Sequence, residues 1–120
     1  MKLDLSASLL GFLTLLAIGC DTEDPSAALA TRLESATAIQ EVARKDLNLR
    51  TIALDAAGAN NSDICKKAIQ TITTAAMSDD TAAECLKTFR NAKNNKAAVE
   101  MAKLIRDQAR RDMWLSDLSK

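Results

Sequence analysis

Few residues in this chain could do chemistry. It has no His and no Tyr, so the usual general base and the commonest metal ligand are missing. Three cysteines stand at positions 20, 65 and 85, and Cys65 and Cys85 alone do not make a zinc site. Asp79 and Asp80 form a carboxylate pair, but turn and cap duty explains them more simply than acid–base work. Ser and Lys residues occur without a nucleophile motif, and no Gly-rich phosphate loop is present. The expectation is a protein that is not an enzyme, with no cofactor and no metal.

The elements that carry these residues read as helices. Alanine is abundant, and between Cys20 and Lys120 the only Pro and Gly are Pro25 and Gly58. Ala is the best helix former, while strands favour β-branched and aromatic residues. Asp24-Pro25 reads as an N-cap and first helical position. A first helix is expected to run to about Ala57, with Leu29, Leu33, Ala36, Ala43, Leu47 and Leu54 as its apolar seam. Gln40 and Arg50 interrupt that seam, so it is not a strict coiled coil. Gly58-Ala59-Asn60-Asn61 is a stop. Ser62 or Asp63 then caps a second helix to about Met77, with Ile64, Ala68, Ile69, Ile72 and Ala76 on one side. Ser78-Asp79-Asp80 reads as a turn, and Thr81-Ala82-Ala83-Glu84 as a capping box opening a third helix. Asn94-Asn95 ends it. A fourth helix covers about Lys96 to Leu115, striped by Ala98, Met101, Ala102, Ile105, Ala109 and Met113. No internal repeat is evident. The fold class is all-α, a small bundle of about four helices in one domain over residues 25–120.

The first twenty residues follow a different pattern. Met1-Lys2-Leu3-Asp4 precedes an apolar run from Leu5 to Ile18, which stops at Gly19-Cys20 before the polar Asp21. This is a secretory signal layout. The run extends only about 21 Å as a helix, short of a membrane span. Leu16-Ala17-Ile18-Gly19-Cys20 resembles the lipobox of bacterial lipoproteins. The resemblance implies a signal peptide over 1–19, cleavage after Gly19 and acylation of the Cys20 thiol and amino group. Residues 20–24 become a short acidic tether. Two or three acyl chains make such an anchor effectively permanent. An Asp after the lipidated Cys resembles the enterobacterial signal for retention in the inner membrane, so Asp21 favours that leaflet over the outer membrane. Its plainer role is to begin the solvated tether.

A lipoprotein is exported, which puts Cys65 and Cys85 in an oxidising compartment and makes a disulfide between them the leading expectation. Geometry raises an objection. In a simple hairpin turning near Asp79, Cys85 faces residue 73, about eight residues or roughly 12 Å from Cys65. Two small buried thiols are the alternative.

The chain without residues 1–19 keeps near-zero net charge, so nucleic acid is not expected as a partner. The charges are unevenly placed. Lys87, Arg90, Lys93, Lys96, Lys103, Arg106, Arg110 and Arg111 are opposed over 86–111 only by Glu100 and Asp107. Lys87, Arg90, Lys103, Arg106, Arg110 and Trp114 therefore form the candidate partner surface, against the simpler reading of a solvated face and a core Trp. The functional expectation is a lipid-anchored binding module facing the periplasm, whose partner is another envelope protein. Exclusion and immunity lipoproteins of mobile elements are analogues of this kind. The alternatives are a secretion pilotin or chaperone-like lipoprotein, and a structural lipoprotein that self-associates through its first helix.

Expression in a bacterium should yield a membrane-bound product whose intact mass lacks residues 1–19 and carries acyl groups. The Cys20→Ser chain should lose both acylation and membrane retention.

Overall fold

The computed structural model describes residues 24–120. The expected signal peptide over 1–19, the expected lipidation site Cys20 and the expected sorting residue Asp21 lie outside the described residues. Six helices and no strand occur among the described residues. They are α1 (Pro25–Thr37), α2 (Val42–Gly58), α3 (Ser62–Thr71), α4 (Ala75–Asn91), α5 (Asn95–Leu104) and α6 (Gln108–Leu118). None of them is long and apolar enough to cross a membrane.

The all-α class holds, and the expected helix count does not. The first expected helix is broken at 38–41, the second at 72–74 and the fourth at 105–107. No Gly or Pro lies in these breaks, so the usual punctuation of a chain gives no sign of them. The expected capping box at Thr81 lies inside α4, whose N-cap is Thr74. Ser78, Asp79 and Asp80 are helical rather than a turn.

Two carboxylates hold two of the breaks open. Asp46 on α2 is only 1% exposed. Its Oδ1 accepts the Thr73 N–H at 2.9 Å, and its Oδ2 accepts the Thr74 N–H at 3.0 Å and the Thr74 hydroxyl at 2.8 Å. Asp79 on α4 is 5% exposed and repeats the arrangement. It accepts the backbone N–H groups of Arg106 at 2.7 Å and Asp107 at 3.1 Å. A new helix starts at each site because these donors, which a continuous helix would spend internally, are taken by a carboxylate.

The breaks reveal a repeat that residue identity conceals. Its period is thirty-three positions, read from the N-caps Glu41, Thr74 and Asp107. Asn60 and Lys93 share the period and are left-handed at φ 59° and 65°. So do the next N-caps, Asn61 and Asn94, which accept the N–H groups of Ile64 and Ala97. Helices α2 and α4 are each 17 residues long, and α3 and α5 each 10. The unit is therefore a long helix, a tight turn, a short helix and a carboxylate-held break. Helix α1 occupies the place of a short helix, and α6 that of a long one.

Stacking produces two layers. The short helices α1, α3 and α5 pack in sequence, as do α2 and α4 in the long layer. Helix α6 joins α4 through Arg90–Asp117 at 2.6 Å and Asp80–Arg110 at 3.2 Å. The core lies between the layers, where Leu49, Ile69, Leu86, Phe89 and Met101 are essentially inaccessible. Alanines 53, 56, 68, 82 and 98 are fully buried among them and allow close approach of the helices. Trp114, Leu115 and Leu118 are half-buried against this core.

Asp46→Ala and Asp79→Ala each leave two backbone donors without their acceptor. Each substitution should lower stability by about 2–3 kcal/mol. Urea unfolding followed by circular dichroism measures the loss.

Candidate interaction surface

The expected basic surface is largely committed to holding the domain together. Arg90 is tied to Asp117 and Arg110 to Asp80. Arg106 donates to the Ile72 carbonyl at 3.0 Å. Arg111, another of the basic run, donates to the Ile105 carbonyl at 3.1 Å. Lys87 lies 3.9 Å from Glu84 one turn earlier on α4. Trp114 is half-buried against the core. Lys103 is exposed on α5, in the short-helix layer, while Lys87, Arg90, Arg110 and Trp114 belong to α4 and α6. The six candidates thus do not form one basic face. The exposed ion pairs are each worth under about 1 kcal/mol, but they fix the register of α6 on α4.

A different surface emerges on the long-helix layer. Leu47 and Met113, expected inside as parts of apolar stripes, are 57% and 56% exposed. They hold the same place in α2 and α6, two repeat units apart. Asp80 holds that place in α4 between them. Four residues earlier stand Ala43, Ala76 and Ala109, all exposed. Residues four apart share a helix face, so these six positions make one strip across three neighbouring helices. Val42, 48% exposed, extends it at the start of α2. The strip is apolar at both ends and carries the Asp80–Arg110 pair at its middle. Sequence periodicity missed it because α2 was joined to α1. The break at 38–41 resets the phase of the helix and turns Ala43 and Leu47 outward.

Cys65 and Cys85 are free thiols, and both are fully buried. The expected disulfide is not formed in this structure. The hairpin that made the pairing awkward is also absent, because the break at 72–74 separates α3 from α4. Cys65 Sγ lies 3.6 Å from Met101 Sδ, and Cys85 Sγ lies 3.5 Å from the Ala53 carbonyl oxygen. Contact with the Cys85 thiol, and then burial, push the Cys65 pKa far up. A thiol held protonated is a poor nucleophile, so Cys65 behaves as a small core residue.

The carboxylates also serve structure. Burial pushes Asp46 up. The Thr73 N–H, the Thr74 hydroxyl and N–H, and the Lys45 charge together outweigh that effect and hold it below its ordinary value. Among the described residues, no three His, Cys, Asp or Glu side chains gather to hold a metal. A groove of about 430 Å³ between α1 and α2 is lined largely by Thr31, Arg32, Ser35, Asn48 and Thr51, without a carboxylate or thiol. These features define a helical-repeat domain whose distinctive exposed feature is an apolar strip. Comparison with family models, curated proteins and solved structures finds no match to the chain.

The lowered Asp46 pKa has a definite sign. Its stabilisation is complete well above the unfolded carboxyl value of about 3.9 and is lost as pH falls through that value to the folded one. Asp46→Asn should flatten this part of the acid limb of a stability–pH curve. The two core thiols should react with a thiol reagent only when the chain is unfolded in urea.

Proposed function

We propose that this chain is a bacterial envelope lipoprotein, anchored through acylated Cys20 and acting as a non-catalytic protein-binding module. Asp21 favours the inner membrane. The carrying observation is the strip made by Leu47 and Met113, exposed in register across a repeat of packed helices. Apolar side chains of this size in one strip suit contact with another protein better than contact with water. A stack of helix pairs supports such a role because its scaffold is set by contacts between near neighbours and its outer positions are free to vary. Exclusion or immunity proteins of the envelope are the nearest functional class, since their task is to occupy a partner rather than transform it.

The complementary surface on the partner should be apolar, with charged groups placed to meet Asp80 and Arg110. Affinity should be concentrated in Leu47 and Met113, with the alanines around them allowing close approach. A photo-crosslinking residue at position 43 or 109, one turn from Leu47 or Met113 on the same strip, in the membrane-bound chain, should give one discrete product. The same residue at Gln70, exposed on the short-helix layer, should give none. Leu47→Glu with Met113→Glu should abolish the product while the helical spectrum and urea midpoint stay close to those of the parent. An unchanged product in that double variant would refute the strip as the contact, and a product of twice the chain mass would identify a second copy as the partner.

A further inference from the structure

We infer that the anchor turns one end of the domain toward the bilayer and holds the Leu47–Met113 strip away from it, so that the partner is met at a set height above the membrane. This rests on reading Cys20 as acylated. Cys20 precedes Pro25, the first residue of α1, by five positions. A fully extended chain covers at most about 3.6 Å per residue. The start of α1 is therefore within about 18 Å of the lipidated residue.

The start of α1 is fixed to one end of the repeat stack. Asn61 Nδ2 donates to Ser26 Oγ at 2.8 Å, and Asn94 Nδ2 donates to Asn60 Oδ1 at 2.9 Å. Ser26 and both long-to-short turns thus share one end. Helix α2 finishes there, at Gly58, and starts at Val42. At 1.5 Å per residue its start lies about 25 Å away. Ala43 and Leu47 sit in its first two turns, and Ala109 and Met113 in the first two turns of α6, which runs in the same register. The strip is consequently on the half of the domain farther from the anchor. The tether and the rise along α2 together come to about 40 Å, to which the sideways offset of α6 adds for Met113.

Electrostatic attraction to anionic headgroups does not set this orientation. The turn end carries Lys93, Lys96 and Lys120 against Asp24 and Asp63, and the tether adds Asp21 and Glu23. These charges nearly cancel, so orientation follows from tether length and should be insensitive to salt. The partner that fits is an envelope protein itself held at the same membrane, presenting an apolar surface within this reach.

The test uses the full acylated chain in phosphatidylcholine–phosphatidylglycerol vesicles that carry an energy acceptor on the headgroups. Single donor labels are placed at Lys93→Cys and Lys96→Cys on the turn end, and at Gln40→Cys and Thr73→Cys on the other. The buried Cys65 and Cys85 stay unlabelled, and the parent chain checks this. Transfer should be severalfold more efficient from positions 93 and 96 than from 40 and 73, at low and at high salt. Equal or reversed efficiencies from a chain whose mass confirms acylation would overturn the orientation and leave the lipoprotein reading standing. A chain without acyl groups would overturn that reading and the orientation with it. Two labels at each end ensure that one poorly folded variant cannot decide the result.

Discussion

The architecture depends on a carboxylate buried in one long helix and spent on the start of the next. Asp46 and Asp79 each accept two consecutive backbone N–H groups from a break twenty-seven and twenty-eight positions downstream. A buried charge is costly unless it is fully hydrogen-bonded. Here the peptide groups of the chain supply those bonds, and the donors freed by the break gain a strong acceptor in return. Each contact ties a long helix to the beginning of its neighbour in the same layer, so local geometry and layer packing are settled together.

This explains what sequence reading could and could not reach. Helical class, the start at Pro25, the stop at Gly58 and the interruption near Asn94 rest on local preferences, and all are observed. The breaks at 72–74 and 105–107 are held by distant carboxylates, and their local trace is confined to the N-cap residues Thr74 and Asp107. Two aspartates placed alike were present in the sequence, but one of them stood beside Asp80 and read as part of a turn. The repeat is hidden for a related reason. Its equivalent core positions pair Ile52 with Cys85 and Ala56 with Phe89, so volume is exchanged between positions while burial is retained. The recurring Ile39, Ile72 and Ile105, with the Asn that follows each left-handed residue, are the identities that could have disclosed it.

The surface follows from the same error of phase. An amphipathic pattern assigns inside and outside only if the helix is continuous, because each break resets the angle from which the pattern is read. Joining α1 to α2 put Leu47 inward, and joining α5 to α6 did the same for Met113. Conversely, a run of basic residues looked like a free electrostatic face, although its arginines are spent on α4, α6 and the carbonyls of Ile72 and Ile105. Exposed apolar side chains and committed cations both depart from the usual division of polar surface and oily core. Both departures lie on the long-helix layer or at its breaks.

Helix α6 differs from its counterparts because none of its residues is fully buried. In a stack where contacts are confined to near neighbours, such an element can separate without the rest unfolding. Its amide protons would then exchange with solvent through local opening, faster than those of α4, while the core between α2 and α5 remained closed. Met113 would leave with it, breaking the apolar strip into a half that stays and a half that departs. A partner gripping both halves would close that opening and slow exchange throughout the last eleven residues of helix, so that recognition is registered as a change in local stability at the far end of the chain.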